Sequence, residues 1–332
     1  MATAAVVHLV NGDHAAAAIE QAGLGTASIV WRDVLHDGPV HDVDDEALAR
    51  LRVAFIADAG WDGESRALSA LDERDRSLQR CLASPCELVV WFAPGLHDQL
   101  QRLQVLARVA RHGGLRATVV EAALDGQPAI RDARTLQAAF EQRRRVEAAT
   151  LARALAGWCA FTAGDGAGLD ALLEADDAGT PWLDAAIRRW REEFPALGSG
   201  LSRTERQVLE ALDRGVFRVR DVYVAACHHA EEVVFHADLP FATLLRRLSS
   251  GAVPLLSHPD QRPVTMPDPR SGSRVFWNDS LLITRAGRER LAGVGDWMLH
   301  APPRWMGGVA LHGSSGWRWD PATNRMRSVA AR

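Results

Sequence analysis

The stretch of sequence that decides the fold is residues 87–111, which read ELVVWFAPGLHDQLQRLQVLARVAR. An apolar run of strand length covers 87–92 and is broken by Pro94 and Gly95. A helical spacing of apolar residues then continues over 97–111. Strand, turn and helix in this order form the repeating unit of a parallel α/β sheet.

The same order occurs at the start of the chain. A strand is predicted over 6–10, and the turn that follows leads into an alanine-rich helix over 14–22, with Asp13 as its N-cap. Further strands are predicted over 28–31 and 117–121. The alternation predicts an α/β fold class, with a Rossmann-like, doubly wound parallel sheet in the N-terminal domain.

The length of 332 residues suggests two domains, and the 47% of hydrophobic residues is enough for a large core. The pattern becomes mainly helical after the fourth strand, with helices expected over 131–156, 168–175 and 181–193. The predicted organisation is a Rossmann-like α/β domain (1–125), a helical connector (126–198), a winged-helix-like domain (199–295) and a tryptophan-rich C-terminal extension (296–332).

The winged-helix-like domain is predicted from local signals. Ser202 and Glu205 have the spacing of a capping box at the start of an amphipathic helix. Helices over 219–229 and 240–250, and then a hairpin over 259–281, follow along the chain.

The composition excludes several classes of chemistry, because the chain contains no lysine and all 38 basic residues are arginine. A lysine Schiff base, and with it pyridoxal phosphate chemistry, is excluded, as is a phosphate-binding P-loop lysine. No dinucleotide-binding fingerprint indicates NAD. Acid and base catalysis must therefore come from carboxylates, histidine or cysteine, because arginine does not release its proton at usable pH.

The four cysteines predict a reducing compartment. Cys81, Cys86, Cys159 and Cys227 form no CxxC pair and no dense framework, so we expect free thiols and a cytoplasmic protein. No signal peptide or membrane anchor is expected, since the apolar segments are too short to span a bilayer.

Polar clusters follow three of the predicted strands. The carboxyl ends of parallel strands meet at one edge of a sheet, which is where ligands bind in open α/β folds. We therefore expect a cleft there that binds a small polar or anionic molecule. The clusters consist of Asn11, Gly12, Asp13 and His14; Arg32, Asp33, His36 and Asp37; and His97, Asp98 and Gln99.

These residue types suit hydrolysis or group transfer. Asp13 or Asp33 is the candidate base or ligand of a divalent metal, His36 and His97 are candidate proton carriers, and Arg32 is a candidate clamp for an anion. The remaining polar residues of the clusters are candidate ligand-binding groups. The identity of any metal or other cofactor is left open.

Each cluster also has a purely structural interpretation. Asp13 and Asp98 lie at or near predicted helix starts, where carboxylates cap free backbone N–H groups. Arg32 and Asp33 can form a local ion pair. A separate group, Cys227, His228 and His229 with Glu231, Glu232 and His236, lacks the spacing of a zinc site and is expected to be a solvated helix end and loop.

The winged-helix-like domain supplies a rival function, that of a ligand-responsive regulator that binds DNA. Arg246 and Arg247 on the third helix, with Arg270 and Arg274 on the hairpin, are the candidate nucleic-acid contacts. Four arginines are few for a reader of a DNA sequence, and winged helices also serve as protein-contact modules. A non-catalytic scaffold is the third alternative.

Five motifs along the chain resemble one bacterial family. They are HLVNGDHAAAAIEQAG (8–23), IVWRDVLHDGPV (29–40), LVVWFAPGLHDQLQRL (88–103), EEFPALGSGLSRTERQVLEAL (192–212) and PRWMGGVALHGSSGWRWD (303–320). In this order they resemble the domain-of-unknown-function 1835 family. The resemblance implies an N-terminal α/β domain with a C-terminal winged-helix-like region, but no reaction. Asp13-His14 stands where many members have Asp-Ser, so a role for that serine does not carry over.

Overall fold

The computed structural model describes residues 5–174, 181–267, 274–313 and 316–330. The first part of the chain contains β1 (Ala5–Val10), α1 (Asp13–Gln21), β2 (Ser28–Val30), β3 (Gly38–Pro39), α2 (Asp45–Ala59), α3 (Glu64–Leu82), β4 (Cys86–Trp91), α4 (Leu96–Arg111) and β5 (Thr118–Glu121). The middle part contains α5 (Ala133–Glu141), β6 (Arg144–Arg145), α6 (Ala148–Thr162), α7 (Ala167–Glu174) and α8 (Pro181–Arg191).

The last part of the chain mixes short helices and strands. It contains α9 (Arg203–Asp213), α10 (Val219–Tyr223) with a π-helical continuation (Val224–His229), α11 (Asp238–Leu248), β7 (Leu256–Ser257), α12 (Arg274–Asn278), β8 (Leu282–Ile283), α13 (Arg285–Leu291), β9 (Arg304–Gly307), β10 (Val309–Leu311), β11 (Gly316–Asp320) and β12 (Arg325–Val329). No helix in the described ranges has both the length and the apolar character needed to cross a bilayer.

The central sheet has five strands in the order β2-β1-β4-β5-β6. The first four strands run parallel and β6 is antiparallel to β5, so the chain is a mixed α/β protein with a mostly parallel sheet. Successive side chains of a strand point to opposite faces, and in β4 this puts Leu88 and Val90 in one core and Val89 and Trp91 in another. Both faces of the sheet are therefore covered.

Two predicted elements differ from the structure. The single helix expected over 131–156 is divided into α5 and α6, because Arg144 and Arg145 leave the helix to pair with β5. The hairpin expected over 259–281 contains α12 instead, and the only antiparallel ladder of the described residues there joins β7 to β8. That ladder has two residue pairs, and its buried members Leu256 and Ile283 lie opposite each other.

A second core lies between α9, α10, α11 and the β7–β8 pair. Leu209, Phe241 and Leu245 are fully buried in it, and Trp297 closes it from the C-terminal part of the chain. The capping box predicted at Ser202 and Glu205 is present at the start of α9. The local signal for the start of this helix is therefore confirmed.

The C-terminal strands return to the N-terminal part of the protein. Strand β9 pairs with β3, with Met306 opposite Gly38 and Gly307 opposite Pro39, and it pairs on its other side with β10. Residues near the end of the chain are thus placed beside the segment that follows β2. This contact builds one wall of the cavity described below.

Candidate functional site

The three predicted polar clusters lie at one edge of the sheet, because β1, β2 and β4 are parallel. Asp13 and Arg32 form an ion pair there, with side chains 70% and 52% exposed. Helix α1 begins at Asp13, with Gly12 at the N-cap, so Asp13 is not the N-cap that the sequence predicted. Arg32 pairs with Asp13 and not with its neighbour Asp33.

Asp98 is a fully buried anchor of this edge. Its carboxylate accepts hydrogen bonds from the Ala93 backbone N–H (3.0 Å), the Asn11 amide (2.9 Å) and the Gln127 amide (2.7 Å). Gln99 donates to the Ala93 carbonyl at 2.8 Å. Burial raises the pKa of Asp98, against these hydrogen bonds and the nearby His97. Asn11, Asp98 and Gln99 therefore hold the strand ends together and have few atoms left for a ligand.

Asp33 is also held by the protein. It forms an ion pair with Arg52 that is almost completely shielded from solvent. The same guanidinium donates to the carbonyl oxygens of Val34 (3.0 Å), Asp37 (2.8 Å) and Pro39 (3.2 Å). Asp33 is thus occupied as the counterion of Arg52, and we assign it no part in the chemistry proposed below. Its effect is to fix the loop that follows β2.

That loop brings His36 and Asp37 to a cavity. The turn into β3 requires a left-handed backbone at Gly38, where φ is +79°, and the Phe55 ring lies against it. A side chain at Gly38 would meet that ring at 2.6 Å. Glycine is therefore required both by the backbone and by the close approach of the aromatic ring.

The cavity has a volume of about 280 Å³ and lies where the N-terminal, helical and C-terminal parts of the chain meet. It is smaller than most pockets for drug-sized ligands, so it suits a small molecule. Its ionisable lining residues are His36, Asp37, Asp58, Glu193, His236, Arg246, Arg247 and Arg304. Asp13, Asp33 and His97 are not among the lining side chains, so the cavity does not coincide with the predicted cleft.

A cluster of histidines forms one wall. The His36 ring lies edge-on to the rings of His97, Phe235 and His236, with centroid distances of 5.8, 5.3 and 5.4 Å. His36 and His236 are each 8% exposed, and none of their four ring nitrogens has a hydrogen-bond partner in the described residues. His97 is contacted by the Gln101 amide at 3.2 Å, which also donates to the Asp33 carbonyl.

His236 corrects one prediction. The sequence placed it in a solvated helix end and loop, whereas it is buried beside Phe235. Phe235 directly before it is buried too and was the local signal that this loop turns inward, whereas Val233 and Val234 are exposed. Cys227 and the Glu231 side chain are buried as well, while His228, His229 and Glu232 are exposed as expected.

Glu193 and Arg189 support the floor of the cavity. The Glu193 carboxylate accepts hydrogen bonds from Arg189 (2.7 Å), from the Thr204 hydroxyl (2.6 Å) and from the Ser202 hydroxyl (3.1 Å). Arg189 also makes two hydrogen bonds to Glu231. Burial works against the charge of Glu193, but Arg189 and these donors outweigh it and lower the pKa to about 2. Glu193 is therefore a permanent, fully partnered carboxylate.

Burial also shifts the pKa values of the two histidines, of Asp37 and of Arg304, and it favours the neutral form of each. Burial is the main cause that lowers the pKa of His236 to about 4, and it lowers that of His36 well below 6.5, with His236 and His97 adding to the effect. Burial raises the pKa of Asp37, against the charges of Arg304, Arg247 and Arg52. It lowers the pKa of Arg304 to about 10, so this residue stays charged near neutral pH.

Three of the four predicted nucleic-acid contacts lie in the described residues. Arg246 and Arg247 on α11 line the cavity, and Arg247 forms an ion pair with the buried Glu205. Arg274 is exposed at the start of α12, and Arg270 lies outside the described residues. Arg247 is therefore engaged inside the protein.

Within the described ranges, no group of three or more His, Cys, Asp and Glu side chains is arranged to hold a metal ion. The positive charge at the cavity comes instead from Arg246, Arg247 and Arg304.

Comparison with known proteins adds no functional assignment. No protein-family model matches the chain, and no curated protein matches it in sequence. The resemblance to the domain-of-unknown-function 1835 family therefore rests on the sequence motifs alone. The function has to be argued from the cavity.

Proposed function

We propose that this protein is an enzyme, a hydrolase or group transferase, that acts on a small anionic molecule bound in the cavity lined by His36, His236, Arg246 and Arg304. One observation carries the proposal. Two buried histidines have unpartnered ring nitrogens at a cavity that also contains arginine side chains with free donors. Buried polar atoms are nearly always satisfied in native proteins, so such a concentration indicates a place where a ligand supplies the partners.

The two arginines suit an anion. Arg246 makes no side-chain hydrogen bond or ion pair among the described residues. Arg304 donates to the Glu193 carbonyl at 2.8 Å, while its Nε is buried without a partner. Guanidinium groups bind carboxylates and phosphates through paired N–H donors. An anion between these side chains would satisfy donors that the protein leaves open.

The acid and base groups needed for hydrolysis or transfer are present at the same place. Neutral His36 and His236 can accept a proton, and the Asp37 carboxyl, whose pKa is raised by burial, lines the same cavity. Opposite shifts of neighbouring titratable groups are typical of catalytic sites. The oppositely shifted groups support an enzyme over a scaffold.

Ligand binding and turnover test the proposal. We expect inorganic phosphate to raise the thermal unfolding temperature, and the purified protein to hydrolyse some member of a panel of small phosphate, sulfate and carboxylate esters. Arg246→Gln should weaken phosphate binding by about tenfold, the effect of losing one charge-assisted hydrogen bond of about 1.4 kcal/mol. Arg220→Gln, at an exposed arginine outside the cavity, is the matched control. Equal phosphate affinity in the two variants would contradict the assignment.

A DNA-binding regulator remains the second candidate, because α9, α10 and α11 with the β7–β8 pair are compatible with a winged-helix-like domain. We also propose a Rossmann-like N-terminal domain, membership of the resembled family and a cytoplasmic location.

If the protein is a regulator, we expect DNA binding that weakens steeply with salt and with substitution of Arg246. Activity on a small ester with no DNA binding would favour the enzyme.

A further inference from the structure

We infer that Cys81 and Cys86 form a redox site, at which a small two-electron oxidant converts the two thiols into an intramolecular disulfide that fastens α3 to β4. The inference is independent of the function proposed for the cavity. Of the four cysteines, all of which lie in the described part of the chain, these are the two whose sulfur atoms are in contact.

The two thiols lie against each other. The Cys81 Sγ and Cys86 Sγ atoms are 3.0 Å apart, and the Cys86 thiol also donates a hydrogen bond to the Cys81 carbonyl oxygen at 3.3 Å. The sulfur–sulfur bond of a disulfide is about 2.05 Å long, so the two sulfurs have to approach by about 1 Å. Formation of the bond therefore requires a short movement of two side chains.

The backbone between the cysteines is a tight turn that holds this contact. Cys81 lies in the last turn of α3, and Cys86 is the first residue of β4. The Ser84 N–H donates to the Cys81 carbonyl oxygen at 3.0 Å, and the Cys86 N–H donates to the Ser84 carbonyl oxygen at 2.9 Å. Cys86 also lies opposite Ala5 of β1 in the central sheet. Both ends of the turn are therefore anchored, and the thiols stay aligned while the protein is folded.

The pair lies directly beneath the protein surface. Each cysteine is 7% exposed, and the residues of the turn, Ala83, Ser84 and Pro85, are exposed. Burial raises the pKa of Cys81 to about 12, and the Cys86 thiol adds to the effect. Because the reactive thiolate is then scarce near neutral pH, we expect a slow reaction with a small neutral oxidant and little reaction with bulky thiol reagents.

With hydrogen peroxide as the oxidant, the reaction has two balanced steps. In the first, one thiol loses its proton, its sulfur bonds to a peroxide oxygen and the oxygen–oxygen bond breaks. This gives a sulfenic acid and a hydroxide ion, which takes up the proton to form water. In the second, the other sulfur bonds to the sulfenic sulfur, the sulfur–oxygen bond breaks, and the hydroxyl group leaves with the second thiol proton as water. The sulfurs lose two electrons, and the peroxide is reduced to two molecules of water.

The neighbouring thiol distinguishes this site from an exposed cysteine. Cys159 is exposed and contacts the Arg111 guanidinium at 3.7 Å, and no cysteine sulfur of the described chain lies beside it. A sulfenic acid at Cys159 therefore has no thiol of the same molecule to react with and is open to further oxidation. The Cys81–Cys86 disulfide is instead reversed by a dithiol, so in a reducing cytoplasm it is a transient state.

Peptide mapping of the intact wild-type protein tests the site. The folded protein is treated with hydrogen peroxide, denatured, alkylated with iodoacetamide and cut with trypsin. Cleavage after Arg80 and Arg102 releases one peptide that contains both Cys81 and Cys86 and no other cysteine. We expect this peptide to carry no alkyl group and to be two hydrogen atoms lighter than the reduced form, and dithiothreitol to restore both alkylation sites.

Two outcomes of the mapping would overturn the inference. One is a peptide that still takes up two alkyl groups although Cys159 is oxidised in the same sample, which shows that the peroxide was active. The other is a peptide that carries sulfinic acid in place of the disulfide. Phosphate binding at the cavity tests the proposed function separately, so either idea can fail without the other.

Variants and thermal unfolding provide the controls. Cys86→Ser should form no bridge, whereas Cys227→Ser, at a buried cysteine outside the pair, should form it as the wild type does. The bridge should raise the unfolding temperature of the oxidised wild type by roughly 2–5 °C over the reduced protein, and Cys86→Ser should show no such rise. An unchanged unfolding temperature in fully bridged protein would mean that the disulfide does not fasten α3 to β4.

Discussion

The Arg52 guanidinium lies 2.8 Å from the Asp33 carboxylate, and the two side chains are 1% and 0% exposed. The pair connects α2 to the loop after β2, and three further hydrogen bonds from Arg52 fix that loop. The positions of His36 and Asp37 at the cavity thus depend on one arginine that does not itself line the cavity.

Arg52→Met should lower the free energy of unfolding by about 3–5 kcal/mol, because it leaves the Asp33 carboxylate buried without a counterion. Urea unfolding followed by circular dichroism measures the loss. The control is Arg50→Met on the same helix, which removes an exposed pair with Glu46 and should cost less than about 0.5 kcal/mol. Equal losses in both variants would contradict the buried role of Arg52.

Asp98→Ala should destabilise the protein by about 2–3 kcal/mol, since three buried donors lose their acceptor. The comparison is Asp132→Ala, which removes an exposed helix cap that accepts from the Thr135 N–H at 2.8 Å and should cost about 1 kcal/mol. Chemical denaturation measures the free energy of unfolding of both variants. If Asp98→Ala lowers the free energy of unfolding by no more than Asp132→Ala does, Asp98 contributes no more than an ordinary helix cap.

Gly38→Ala and Gly23→Ala separate backbone strain from crowding. Both glycines have positive φ, +79° and +72°, but a Cβ at Gly23 has nothing within 4 Å, whereas at Gly38 it meets Phe55. We expect Gly23→Ala to cost about 1 kcal/mol. Gly38→Ala should cost about 1–3 kcal/mol more because the ring has to move. Thermal unfolding of the two variants measures which loses more stability. A smaller loss in Gly38→Ala than in Gly23→Ala would show that the Phe55 ring moves freely.

Acid should destabilise the protein through its buried histidines. The pKa of His236 is about 4 in the folded protein against 6.5 for an ordinary histidine, so the unfolded chain binds more protons between these values. Stability is therefore fully present above about pH 6.5 and falls as the pH decreases toward 4, with a contribution of about 3 kcal/mol from this residue. His36 acts in the same direction.

His236→Gln should flatten this part of the pH profile of stability, because the residue that takes up the proton on unfolding is gone. The profile is measured by urea unfolding at a series of pH values. His229→Gln, at an exposed site, should leave the slope unchanged. An identical slope in the wild type and His236→Gln would mean that other groups cause the acid sensitivity.

Local signals in the sequence predicted much of the α/β sheet and the start of α9. The apolar run before Pro94 and the spacing of Ser202 and Glu205 act over a few residues, and the structure agrees with both. The partners of charged residues were harder to predict. Arg32 and Asp33 are neighbours in sequence, yet they point apart, one to Asp13 at the surface and one to Arg52 in the core.

The cavity itself could not be predicted, because its residues are brought together by long-range contacts. Glu193, His236 and Arg304 lie in three separate segments, and no periodicity relates them. Arg304 reaches Asp37 only through the pairing of β9 with β3. The predicted cleft included His36 and Asp37. Glu193 and Arg304 lie in sequence motifs that were recognised, but nothing in those motifs indicated that they meet at one cavity.

The pairing of β9 with β3 has a consequence for biosynthesis. A ribosome makes the sheet and the loop with His36 long before it reaches Arg304. The growing polypeptide therefore has no complete cavity until Arg304 has been translated, and a truncation before Arg304 would yield a protein without that wall.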